Sequence, residues 1–204
     1  MTLFNSMKRL IALLAVVVIS ITAGGCVRNA NAILKDDQVV ANDALVGKWI
    51  SKDGKATAEL KPGENNQYKL QYTNEDGKSG AFLVRFGKVG DNMVAEVKAD
   101  VSFAAGSNGE YQSLLLPLYT MIVISKSSPQ QLELTAVSVD WLKKYTQDHP
   151  DELDVASIGG QDLIVNSSTE DYQRFVLRHW NDKDMLGEPS LFVHPGDPTT
   201  KPAP

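Results

Sequence analysis

Few side chains in this chain are equipped for chemistry, and they are scattered. One cysteine, Cys26, and three histidines, His149, His179 and His194, make up its thiols and imidazoles. A metal site needs several such ligands at close spacing, and no HExxH or comparable cluster is present. His149 falls in a loop before Pro150, His179 on an apolar helix face and His194 in a proline-rich end segment. No G-x-S-x-G marks a serine nucleophile. Gly106-Ser107-Asn108-Gly109 lacks the lysine and following helix of a phosphate-binding loop. The carboxylate pairs Asp36-Asp37, Asp148/Asp151 and Glu170-Asp171 lie in expected loops or at a helix start, where water and the helix dipole stabilise charge. The sequence therefore predicts no catalytic centre, no metal site and no cofactor. The expectation is a non-enzyme.

The lone thiol has a different reading. With one cysteine no internal disulfide is possible. Lys8 and Arg9 precede the apolar run Leu10–Ile21, which fits the roughly 7–15 residues of a signal-peptide core. It falls short of the about 20 residues that a spanning helix needs. Small residues then lead to the thiol: Ala23, Gly24, Gly25, Cys26. This stretch resembles the lipobox of bacterial lipoproteins, with Ala23 where leucine is commonest. The resemblance implies cleavage after residue 25 and a diacylglycerol thioether on Cys26, usually with a third chain such as palmitate on the freed amino group. Two or more chains anchor stably where one does not. Val27 stands where aspartate would signal inner-membrane retention in an enteric-type envelope. The implied localisation is the cell envelope, on the outer membrane facing the periplasm if two membranes exist. The other reading of the segment is an uncleaved helix over Leu10–Val27.

Composition narrows the partners. The formal charge is −5, and removal of Lys8 and Arg9 with the signal makes the remainder more acidic. An acidic surface without a basic run repels phosphate backbones, which excludes nucleic acid as the expected partner. The bilayer, through acylated Cys26, is the first expected partner. An apolar ligand or an envelope protein is the second.

The remaining chain reads as one mainly β domain with two short helices in its C-terminal third. Expected strands are Gly47–Ser51, Lys55–Lys61, Gln67–Thr73, Ser79–Lys88, Met93–Phe103, Leu118–Lys126 and Gln131–Ser138, separated by turns such as Asp53-Gly54 and Asp76-Gly77. Apolar and polar residues alternate along most of them, as in Tyr68, Leu70 and Tyr72 against Lys69, Gln71 and Thr73. The expected helices are Val139–Gln147 and one opened by Ser168, with Tyr172, Phe175, Val176, His179 and Trp180 on one face. A short strand, Asp162–Asn166, lies between them. The expected boundaries are a signal peptide (1–25), a membrane-proximal spacer (26–44), the domain (45–188) and a Pro-rich tail (189–204), within which Leu191, Phe192 and Val193 are the residues able to dock.

Gly47-Lys48-Trp49 opens the first long strand, and a meander follows it. This resembles the G-x-W start of lipocalins, a family with a lipid-anchored bacterial branch. The resemblance implies an antiparallel meander that closes into a barrel, or at least a strongly curled sheet, with Trp49 at its closed base. It also implies binding of a lipid or similar apolar small molecule. Two helices stand where a lipocalin has its eighth strand and one helix. The expected ligand wall is Tyr68, Leu70, Tyr72, Phe82, Val84, Phe86, Met93, Tyr119, Met121 and Val123. Many of these are bulky, and small barrels fill with their own side chains, so the alternative is an interaction or envelope-assembly lipoprotein without a cavity. Tyr111–Tyr119 (YQSLLLPLY) reads either as a gate at the barrel mouth or as a buried strand entry.

Overall fold

A computed structural model of the chain describes residues 26–101, 117–128, 130–158 and 162–195. The expected signal peptide, the Gly106–Gly109 loop, the gate reading of residues 111–116 and the end of the tail lie outside them.

Two short strands come first, β1 (Val27–Asn29) and β2 (Val39–Val40). A meander follows: β3 (Gly47–Ser51), β4 (Thr57–Pro62), β5 (Gln67–Thr73), β6 (Ser79–Val89), β7 (Asn92–Ala99), β8 (Tyr119–Ser127) and β9 (Gln131–Ala136). Helix α1 (Val139–Asp148), hairpin β10 (Val155–Ile158) and β11 (Asp162–Val165), helix α2 (Thr169–His179) and strand β12 (Ser190–Val193) complete the order.

Strands β3 to β9 pair antiparallel in sequence, and β12 pairs antiparallel with both β9 and β3. The result is a closed eight-stranded antiparallel barrel. Register matches apolar residues across every seam, because a one-residue slip would turn each of them to water. Trp49 faces Ala58, Leu60 faces Leu70, Leu70 faces Phe82, Phe86 faces Ala95 and Leu132 faces Phe192. Both Asp-Gly turns form as expected, with Gly54 and Gly77 at φ 77° and 74°. The register of β8 on β9 slips between Ile124 and Lys126, a bulge that adds curvature where the barrel must bend.

The eighth strand corrects the expected tail. Ser190–Val193 lies in the barrel wall, with Phe192 and Val193 buried, so the domain continues beyond residue 188. Pro189 only precedes the strand, and a proline before a strand removes no ladder hydrogen bond.

A second core lies outside the barrel. Val89, Val94, Met121 and Val123, on the outer faces of β6, β7 and β8, pack with Leu142 of α1 and Tyr172, Phe175 and Val176 of α2. β1, β11 and β10 extend the sheet from β8. Both helices start as their sequences require: Ser138 and Ser168 accept the N–H of Trp141 and Asp171, respectively.

The expected spacer, residues 26–44, is also corrected. Ile33 and Leu34 are fully buried, and the segment lies across β6 and β7. The carboxylate of Glu96, only 3 % exposed, accepts the N–H groups of Ile33 and Leu34 at 2.6 and 3.0 Å. Its other oxygen meets Arg85 Nε at 2.7 Å, and Arg85 also donates to the Leu34 carbonyl and to Asp36. Burial works against the Arg85 charge, but the bonds to Glu96 and Asp36 hold its pKa above the ordinary arginine value. Gly87 lets the segment approach: a Cβ there would lie 2.6 Å from the Gln38 carbonyl and 2.8 Å from Leu34.

Removing one partner of a buried ion pair leaves the other uncompensated. Glu96→Ala is expected to cost about 3–5 kcal/mol in urea unfolding, and Gly87→Ala about 1–3 kcal/mol by overpacking. Losses well under 1 kcal/mol for both would mean that the segment is not held to the barrel.

Candidate functional site

The barrel has a closed end and an open end. At the closed end, Leu45 and Trp49 are buried, and Trp49 Nε1 donates to the Leu45 carbonyl at 2.9 Å. The Tyr68 hydroxyl accepts the Asn42 N–H and bonds Asp43, both at 2.8 Å, which draws residues 42–45 beneath the barrel. His194 lies against the Trp49 indole at 4.5 Å between ring centroids. Gly47 makes this packing feasible: its φ is +134°, and a Cβ would come within 3.1 Å of the His194 ring. The glycine and tryptophan of Gly47-Lys48-Trp49 therefore act together, one admitting the ring that covers the other.

Above this base is a cavity of about 360 Å³, at the lower end of the roughly 300–1,000 Å³ of ligand pockets. Its wall is apolar: Leu60, Leu70, Val84, Phe86, Val97, Ile122, Ile124, Leu132, Leu134 and Phe192 all contribute. Polar atoms come from Tyr72, Thr135, Glu188 and Ser190. A second, polar space of about 480 Å³ adjoins it, sharing Tyr72, Ser190 and Phe192 and lined by Lys52, Asp53, Lys55, Glu75 and Asp76. The β3–β4 and β5–β6 turns form this rim, and the β7–β8 connection leaves and returns at the same end.

The expected wall residues divide into three groups. Leu70, Tyr72, Val84 and Phe86 line the cavity. Tyr68 and Met93 pack in the barrel interior without lining the cavity. Phe82 sits opposite Leu70 near the rim, with its ring against Gly80. Tyr119, Met121 and Val123 are a correction, because they point out of the barrel into the second core. Ile122 and Ile124, on the opposite face of β8, point in. The sequence of β8 (YTMIVISKS) is apolar on both faces because both faces are buried, so alternation carries no phase there. The missed lining residues of β9 and β12 also follow from register: Leu132 faces Phe192, and Leu134 faces Ser190.

Comparison with protein-family models, with curated proteins and with solved structures finds no match to this chain. The candidate site therefore stands on its geometry alone.

The histidines do not converge. His149 stacks on Tyr145, and His194 covers Trp49. His179 is packed among Trp141, Tyr145 and Phe175, with Nδ1 2.7 Å from Asp182. Among the described residues no group of three or more His, Cys, Asp or Glu could hold a metal ion. Cys26 is exposed, while its N–H donates to Asp162 Oδ1 at 2.9 Å and its carbonyl accepts the Leu163 N–H at 3.1 Å.

Two titrations follow from burial. The Tyr72 hydroxyl is pushed up by burial at the cavity mouth, and then by the charges of Glu75 and Asp53. Tyr172, fully buried in the second core, is pushed up to about 12 by burial, with Asn29 opposing. A group that holds its proton more tightly when folded stabilises the fold below its unfolded pKa and loses that contribution as pH rises through the folded one. Stability should therefore fall between pH 10 and about 12, and Tyr172→Phe should flatten that fall. An unchanged pH profile of urea unfolding in Tyr172→Phe would place the phenol in contact with water.

Proposed function

We propose that this protein is a lipid-anchored binding module of the cell envelope that holds an apolar small molecule in a lipocalin-like barrel and catalyses no reaction. The observation that carries the reading is the cavity. It is closed at one end by Trp49, walled by aliphatic and aromatic side chains, and large enough for a ligand. Burying a chain there gains roughly 25 cal/mol for each Å² of apolar surface removed from water. A solid interior would have favoured the interaction reading instead. The large apolar side chains that are exposed among the described residues (Val40, Val101, Ile158 and Leu177) lie on separate segments.

The anchor reading is supported by the strands outside the barrel. Backbone bonds hold Cys26 to β11 while leaving its thiol accessible, and β1 begins at the next residue. Acyl chains on Cys26 would join the folded domain with no spacer, so the barrel would work close against the bilayer. No helix among the described residues is long and apolar enough to cross a membrane.

Two measurements test the proposal. N-phenyl-1-naphthylamine, a neutral apolar fluorophore, should bind with a blue-shifted rise in emission, and Ala58→Trp, which sets an indole across the cavity, should weaken it about tenfold, roughly 1.4 kcal/mol. Equal binding by both proteins would show that the dye sits elsewhere. Radiolabelled palmitate should enter the wild-type protein in cells and not Cys26→Ser. Incorporation into the serine variant would refute the anchor.

A further inference from the structure

A chain that enters this cavity must leave its head at the rim, and the rim is not electrically neutral ground. Of the described residues that line the cavity, Glu188 alone carries a formal charge, and none is basic. The other polar groups in the lining are hydroxyls, those of Tyr72, Thr135 and Ser190. Thr135 is already engaged, donating to the Gly187 carbonyl at 2.8 Å.

The adjoining polar space extends the same bias. Its carboxylates are Asp53, Glu75 and Asp76. Two of the nearby ammonium groups are held by them, Lys55 by Glu75 at 3.4 Å and Lys78 by Asp76 at 3.9 Å. Asp53 accepts from Ser51 Oγ and the Lys55 N–H, which hold its carboxyl below the usual range and keep it charged. Among the described residues lining the two spaces, four carboxylates (Asp53, Glu75, Asp76 and Glu188) stand against the two ammonium groups of Lys52 and Lys55, and no carboxylate pairs with Lys52. The raised pKa of Tyr72 reports the same field, since after burial the charges of Glu75 and Asp53 contribute.

Size sets the other half of the specificity. A methylene takes up about as much room as a water molecule, roughly 30 Å³. A cavity of about 360 Å³ therefore has room for about ten to twelve chain carbons, and the Leu45–Trp49 base sets how deep a chain can reach.

Resting on the cavity reading above, we propose that the barrel selects a single-chain amphiphile of about ten carbons whose head is cationic or donates hydrogen bonds, and disfavours carboxylate-headed chains. The tail lies among Leu70, Ile122 and Leu134, and the head meets Glu188, Ser190 and the Tyr72 hydroxyl. A carboxylate placed there would face Glu188 without a basic partner among the described lining residues. A primary ammonium would be attracted by Glu188 and hydrated in the adjoining space.

The test uses the full chain in a non-ionic amphipol, loaded with N-phenyl-1-naphthylamine. Decylamine, decan-1-ol and decanoate are compared as displacing agents at neutral pH, each below its self-association concentration. The Ala58→Trp protein gives the background. Decylamine should displace best, the alcohol less well and decanoate least, with about a tenfold span between the two ions. Glu188→Gln should narrow that span about threefold, and Glu75→Gln should narrow it less. Decanoate displacing as well as decylamine, or a span untouched by both variants, overturns the head-group selectivity while leaving the cavity occupied. Failure of all three to displace the dye overturns the cavity reading itself, and the selectivity falls with it.

Discussion

Closure of the barrel depends on four residues that arrive late. Ser190–Val193 completes the wall between β9 and β3, yet more than fifty residues separate it from its partner β9. Loop closure over such a span is costly in chain entropy unless the intervening chain is fixed. It is fixed at its two ends. Val137 bridges Leu186, the Ser138 N–H reaches the Met185 carbonyl, and the Gly187 N–H reaches Ala136. The helical excursion therefore leaves and re-enters the sheet at one place, and β12 lies beside β9 as if the two formed a hairpin. Without that seam β3 and β9 would be open edges, and the cavity would become a groove open to water along its length.

The same constraint explains why two cores serve one fold. Strands β6, β7 and β8 bury one face in the barrel and the other under the helices, so the excursion that delivers β12 also shields their outer face. The N-terminal segment closes the remaining gap. It is gripped by a carboxylate that is fully satisfied by two backbone N–H groups and a guanidinium, the condition under which a buried charge is tolerated. That grip runs from the residues that follow Cys26 to the outer wall of the cavity. A barrel fastened in this way is held rigidly relative to the residues that follow Cys26, and so to any lipid attached to that residue.

How much of this could be read in the sequence depended on whether a segment had one wet face. Strands β4 and β5 each have one, and in β7, covered on both faces, Glu96 and Lys98 still mark the outer one, so alternation gave both strand and phase. Strand β8 has none over Met121–Ile124, so its existence was readable but its phase was not. That is why Met121 and Val123 were placed on the wrong side. The 26–44 segment looked like a spacer because its apolar residues, Ile33, Leu34 and Leu45, follow no period. They are buried by irregular chain crossing a finished sheet, which leaves no repeating signature. Pro189 and Pro195 disguised β12, although Leu191, Phe192 and Val193 between them were recognisable as residues able to dock. Trp49 was legible as a base residue. The role of His194 above it was not, because nothing in the sequence links positions so far apart.

Binding in this barrel requires an alkyl chain inside it with the head at the rim. Anomalous diffraction from crystals grown with 10-bromodecan-1-ol measures this directly. The bromine peak should lie near Trp49 and Leu45, with the hydroxyl density close to Tyr72 and Glu188. A bromine found on the outer surface, or an interior holding only ordered water, would contradict it.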